Sequence, residues 1–219
     1  MSHQDGRCAS SVETIVVAAG GALPTVGQLT SKRLVVVQGT ASGVLTWTLT
    51  GLPPMSIVGQ SSGTITGAGV AGPTPTSVHA TGGDLYLRNL TITGGSPGLL
   101  ADGGGVVRLD HVSVINNPGT GITIDGSAFD IRDATVTGNG ASGGPGILLK
   151  NLSTAPTAPK SLTLSTVTNN QTGIGCTTSS DVPATTSGVL VSGNTFTDIA
   201  PACNFTSCGT FSTTCGAQP

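Results

Sequence analysis

The chain has 219 residues, of which only 8% are charged and 3% aromatic, with 34 Gly and a formal net charge of −2. An ordinary domain carries about 25% charged residues; the deficit, and the absence of a basic patch interleaved with aromatics, argue against a nucleic-acid partner. A hydrophobic content of 37% with little net charge argues against disorder, and no apolar run reaches the roughly 18 residues of a membrane span.

Residues 1–10 (MSHQDGRCAS) are polar and read as a flexible segment that is not a signal peptide. Either a leader has been removed or the chain is a piece of a longer protein. Residues 11–32 read as an N-terminal cap, with a strand over Ser11–Gly20 and a short helix or loop over Ala22–Thr30. Strands come next at Arg33–Gly39, Val44–Gly51, Met55–Gly59 and Gly63–Gly67, with turns at Pro53-Pro54 and Pro73-Thr74-Pro75.

A regular repeat begins at Ser77. Leu87, Leu109 and Ile131 are 22 apart (109 − 87, 131 − 109), as are Ile92, Val114 and Val136 (114 − 92, 136 − 114). A fixed period of short alternating runs broken by Gly and Asn is the mark of a solenoid. Each repeat holds three short strands. The first are SVHAT (77–81), GLLAD (98–102), GITID (121–125), GILLK (146–150) and GIGCT (173–177). The second are LYLR (85–88), VRLD (107–110), FDIR (129–132), LTLS (162–165) and VLVS (189–192). The third are LTIT (90–93), VSVI (112–115), ATVT (134–137), TVT (166–168) and NTFT (194–197). Stacked about 4.8 Å apart, such strands form three parallel sheets around a column of Val, Ile and Leu. The expected fold is all-β: one right-handed parallel β-helix over 11–200, of about six to seven coils, closed by a Cys-rich tail over 201–219. That tail holds Cys203, Cys208 and Cys215, expected to form disulfides, with Cys176 or Cys8 as the odd thiol. Their spacings are not those of a zinc ribbon, and no metal site is expected among them.

The repeats LYLRNLTITGG, VRLDHVSVINN and FDIRDATVTGN, with the Gly-Ile strands after each, resemble the right-handed parallel β-helix proteins of the pectate-lyase-like superfamily. The resemblance covers roughly residues 12–200 and implies the fold. That superfamily holds pectate lyases, polygalacturonases, epimerases, phage tailspikes and autotransporter adhesins. The polygalacturonase pattern of NTD, DD, GHG and RIK is absent, as is a catalytic Arg beside several Asp, which lowers the enzyme reading.

Stacking turns sequence columns into rows. Thr81, Asp102, Asp125, Lys150 and Thr177 form one, with His79 on the same face. Two carboxylates one strand spacing apart repel, so one is expected to have a raised pKa or a calcium ion to sit between them. As a catalytic set this row is Asp102, Asp125, Lys150 and His79; the favoured reading is a solvated ladder. Arg88, Asp110 and Arg132, and beside them Tyr86, Arg108 and Asp130, read as cross-strand pairs that fix register. Asn89, His111 and Asp133 read as stacked turn fillers. The third strands present Thr64/Thr66, Thr91/Thr93, Ser113/Ile115, Thr135/Thr137, Thr166/Thr168 and Thr195/Thr197 outward, a two-column grid of hydroxyls and methyls. It resembles the ice-binding face of β-helical antifreeze proteins. Sequons at Asn89, Asn151, Asn170 and Asn204 are as many as chance provides in a chain this rich in Asn and Thr.

The expected role is a non-catalytic module, extracellular or at a cell surface, that binds a polysaccharide or another extended ligand or serves as a stalk. The alternatives are a polysaccharide lyase or hydrolase working from Asp102, Asp125 and Lys150, and an ice-binding protein using the Thr grid.

Overall fold

The computed structural model describes residues 13–29, 34–48, 54–67, 75–155 and 159–204. Segment 1–10, Cys8, Cys208 and Cys215 lie outside the described residues.

The chain winds into a parallel solenoid with three faces. Among the described residues the first face is a seven-stranded sheet: Leu45–Trp47, Val78–Thr81, Leu99–Asp102, Ile122–Asp125, Pro145–Lys150, Thr172–Cys176 and Thr197–Ile199. The second and third faces, expected as separate sheets, join into one sheet, of twelve strands among the described residues. Leu34–Ser42, Met55–Thr66 and Leu85–Thr93 each run through both faces; from Val106 onward each turn divides, as in Val106–Asp110 and then Ser113–Ile115. In Leu85–Thr93 a single left-handed residue, Asn89 (φ 51°), turns the chain with the strand continuing on both sides.

The 22-residue columns are vertical neighbours. Leu87 pairs with Leu109 and Leu109 with Ile131, continuing down to Leu162. Ile65, Ile92, Val114, Val136, Val167 and Val191 form the third-face column. Nearly all of these side chains have no accessible surface. Register is enforced because a slip of one residue would expose the whole column. At the N-terminal end Trp47 stacks over Ala80 and Ala101, large over small, which fits a close-packed interior. The short helix Val26–Leu29 packs against Leu45–Trp47 and buries Leu29. Thr25 and Gln28 bracket its start, the backbone N–H of Thr25 donating to Gln28 Oε1 at 2.9 Å.

Corners need left-handed residues, which explains the Gly, Asn and Asp of the turns. Asn89, His111, Asp133 and Leu164 (φ 50–54°) occupy the corner between the second and third faces. Leu164 is the exception in chemistry: a bulky residue in this conformation, and 53% exposed.

The last turn departs from expectation. Val191 pairs with Val167, so Leu190–Ser192 is a third-face strand rather than a second-face one. The second-face position is taken by Thr185–Ser187. Thr197 then pairs with Thr172 on the first face, and Thr195 lies in the turn before it. The loop before Thr185 lengthens this turn, so a fixed period misplaces every strand after it. A second correction concerns sulfur: Cys203 is bonded to Cys176, 27 residues away, not to a neighbour in the tail. Cys176 is the last inward residue under Leu149 on the first face, and the chain beyond Ile199 folds back beneath it.

Candidate functional site

The outer edge of the first face gathers the acidic row. Thr81 pairs with Asp102 and Asp125 with Lys150, while Ile124 pairs with Ala101, which brings Asp125 level with Asp102. Side chains divide the row into two closed pairs. His79 Nε2 lies 3.1 and 3.0 Å from the two Asp102 oxygens, and 2.8 Å from Thr81 Oγ1. Lys150 Nζ donates to Asp125 Oδ2 at 2.8 Å, and Asn151 Nδ2 donates to Asp125 Oδ1 at 2.6 Å. The two Asp share an open depression with Gly103, Gly104, Gly126, Asn151 and Thr154.

The expected repulsion between carboxylates therefore does not govern Asp125. Burial alone would raise its pKa, but the hydrogen bonds from Lys150 and Asn151 and the Lys150 charge outweigh it and hold the carboxyl below the usual range. A carboxylate held ionised is poorly suited to act as a general acid. Among the described residues no group of three or more His, Cys, Asp or Glu side chains gathers as a metal site. Asn151, which completes the Asp125 cage, carried no signal for this role beyond its place after Lys150 at a left-handed corner (φ 54°).

This geometry sets a pH dependence. A carboxyl with a lowered folded pKa stabilises the fold fully above its unfolded value of about 3.9, and that contribution is lost as pH falls through the folded value. Thermal unfolding measured from pH 5 down should show wild type losing more stability than Asp125→Asn; equal slopes would mean that the Lys150 and Asn151 contacts are not formed in solution.

The second face is held by a charge network. Arg88 Nε lies 3.4 Å from Asp110 Oδ2, and the Tyr86 hydroxyl donates to the same oxygen at 3.1 Å. His111 Nδ1 meets Asp110 Oδ1 at 2.7 Å and Nε2 meets Asp133 Oδ2 at 2.8 Å. Both contacts are satisfied at once when each nitrogen carries a proton. Burial would raise the Asp110 pKa, yet the bonds from His111 and Tyr86 and the nearby positive charges lower it. Arg108 stands level with Tyr86 and Asp130 in the sheet, but its guanidinium faces Asp84, at 3.8 Å. Exposed pairs of this kind contribute about 1 kcal/mol at most.

On the third face two outward columns run without interruption. One is Thr40, Thr64, Thr91, Ser113, Thr135, Thr166, Leu190; the other is Ser42, Thr66, Thr93, Ile115, Thr137, Thr168, Ser192. Of these positions nine are Thr and three Ser, and none is charged. The columns gain Thr40 and Ser42 at the top, which sequence reading missed because those residues sit in the irregular early coils. They lose Thr195 and Thr197 at the bottom.

Behind the third face lies a buried amide ladder that sequence reading did not identify. Asn117 Nδ2 donates to Asn139 Oδ1 (2.9 Å), Asn139 Nδ2 to Asn170 Oδ1 (2.9 Å) and Asn170 Nδ2 to Asn194 Oδ1 (3.1 Å). Asn194 ends the ladder on Asp198 Oδ1, at 2.8 Å. The same Oδ1 atoms accept the backbone N–H of the Asn one turn above. The glycines that open the first-face strands are fixed by this ladder. A Cβ on Gly98, Gly121, Gly146 or Gly173 would stand 2.7, 2.9, 2.7 or 2.7 Å from Asn117, Asn139, Asn170 or Asn194 respectively. The signal was present in the spacing: each ladder Asn lies three residues after its third-face Val (117 − 114, 139 − 136, 170 − 167, 194 − 191).

No curated protein and no solved structure is similar enough to this chain to be matched. The family described as right handed beta helix region matches residues 55–196. That span holds most of the stacked turns, with their vertical Leu/Ile/Val columns, left-handed corners and inner amide ladder, and the chain belongs to the right-handed β-helix family.

Proposed function

We propose that the chain is a non-catalytic module, secreted or displayed at a cell surface, that lays its third face along an extended polysaccharide. The observation that carries this reading is the pair of uncharged Thr/Ser columns running the length of the sheet, while charged side chains concentrate on the other two faces. Rungs about 4.8 Å apart offer at least one hydroxyl at each step, and four of the seven are Thr-x-Thr (Thr64/Thr66, Thr91/Thr93, Thr135/Thr137, Thr166/Thr168), so a repeating polymer meets similar contacts along most of its length. Seven rungs by two columns make a surface of roughly 30 by 10 Å. That is well below the about 800 Å² per partner of a stable protein interface, which favours a thin polymer over a protein partner. The first face supports the non-catalytic part, because each carboxylate there is already closed on its own basic partner. The Cys176–Cys203 bond supports an oxidising location.

Ice is the second reading, favoured by the predominance of Thr in both columns and weakened by Ile115 and Leu190. One experiment separates the readings. Wild type and Thr135→Lys/Thr137→Lys are co-sedimented with insoluble cellulose, chitin and xylan, and assayed for ice recrystallisation. Retention of wild type on a polymer, lost in the double variant, is the expected result. Retention unchanged in the variant would overturn the assignment to this face, and ice activity without polymer retention would favour the second reading. Product released from uronate polymers with or without calcium, and abolished in Asp125→Asn, would restore the enzyme reading.

A further inference from the structure

We propose that one neutral sugar ring seats against Phe196 at the lower corner of the third face, a subsite that rests on the polysaccharide reading above. Phe196 is 68% exposed, the most exposed of the large hydrophobic side chains among the described residues. It lines a depression of about 260 Å³ together with Ala141, Asn169, Gln171 and Thr195. Drug-sized pockets run from roughly 300 to 1,000 Å³, so the space suits a single ring rather than a folded chain.

Position ties the depression to the columns. Gly138 and Asn169 line it, and they come directly after Thr137 and Thr168. A polymer lying on the columns therefore borders the rim of this depression, one residue beyond Thr137 and Thr168. The depression is also held rigidly. Phe196 N–H donates to Gln171 O and Thr195 N–H to Asn170 O, both at 2.8 Å, while Gln171 N–H donates to Asn139 O at 3.1 Å.

The chemistry selects the ligand. An aromatic face packs on the C–H face of a pyranose, and amides bond its hydroxyls. Gln171 Oε1 accepts from Gly144 N–H at 2.9 Å, which fixes the amide and turns its NH₂ as donor. Asn169 sits at an exposed left-handed corner (φ 55°). No ionisable side chain lines the depression, so a neutral ring fits better than a uronate, whose carboxylate would find no cation there.

The test titrates the intact chain with neutral oligosaccharides (cello-, xylo-, manno- and chito-oligosaccharides) and with oligogalacturonate, reading NMR shifts and Kd. Wild type should bind at least one neutral series and not the uronate. Phe196→Ala should weaken that binding about tenfold or more at unchanged melting temperature, and Phe196→Tyr should restore it. Absence of binding to every neutral oligosaccharide, or equal binding by Phe196→Ala, overturns the subsite. The reading of the third face is judged separately by polymer retention: retention intact in Phe196→Ala but lost in Thr135→Lys/Thr137→Lys would keep the face and reject the subsite.

Discussion

Asn139→Ala is expected to lose about 3–5 kcal/mol of folding stability, although it removes only a small neutral side chain. The Asn139 amide makes four bonds in a place with almost no solvent, being 2% exposed. Its Oδ1 accepts from Asn117 backbone N–H at 3.0 Å and from Asn117 Nδ2 at 2.9 Å. Its Nδ2 donates to Val114 O and to Asn170 Oδ1, both at 2.9 Å. Truncation leaves donors and acceptors on two neighbouring turns unmatched, and each buried unmatched group costs about 1–3 kcal/mol. Some of this is recovered where the turns relax. Because each turn of a solenoid contacts only its neighbours, the loss should be local. Hydrogen exchange should lose protection first at 114–117 and 167–170, before the upper turns. Urea unfolding of Asn139→Ala beside Ser142→Ala, an exposed change in the same turn, gives the measurement. A difference between the two below about 1 kcal/mol would show that the amide ladder is not formed.

Asn139→Asp sharpens the same argument. The substituted oxygen would face Val114 O and Asn170 Oδ1, both acceptors, so the ionised form is disfavoured and the neutral carboxylic acid can still donate. The folded pKa of the new group is therefore raised. Its stability is fully present below the unfolded value of about 3.9 and is lost as pH rises toward the folded value. Against wild type, Asp at 139 should be tolerated best in acid and worst at neutral pH, the opposite sign from Asp125.

The ladder also shows why part of this molecule was legible in sequence and part was not. Leu87, Leu109 and Ile131 reveal the stack because a constant interval of alternating apolar residues has no other simple solution, and they are indeed vertical neighbours. The interval fails once a loop intrudes. Thr is an equally good strand former in either register, so the Thr195-x-Thr197 run matched a third strand by composition alone. Asn194 marked the true register, because it stands three residues after a third-face Val like the Asn residues above it, and its Oδ1 accepts from Asn170 Nδ2. The acidic row was legible for a related reason: residues at equivalent strand ends stand level. Which partner each carboxylate takes was not, since Asp125 chooses among Asp102, Lys150 and Asn151 through rotamers and a corner residue. Cys176 and Cys203 were illegible as a pair because they are far apart in the chain and meet only where the solenoid ends.

Breaking the Cys176–Cys203 bond is expected to cost about 3.5 kcal/mol, the loop-closure entropy for a span of this length, with a sequence separation of 27. Both cysteines are 8% exposed and pack into the core cluster, so the bond also holds the final turn over Ile174 and Val191. Everything between them depends on it: the Thr197–Ile199 strand, Asn194 at the foot of the ladder, and Phe196. Cys176→Ser, Cys203→Ser and the double variant should show the same loss, because either single change already removes the whole bond. Treatment of wild type with reductant should reproduce it. The upper turns, from Leu85 to Thr137, should keep their hydrogen-exchange protection while 190–199 loses it. Sugar binding at Phe196 should weaken in the same variants with the Thr columns of the upper turns intact. Peptide mapping that finds Cys203 joined to Cys208 or Cys215, or melting curves unmoved by reductant, would overturn this pairing and return the tail to the arrangement that its clustered cysteines suggest.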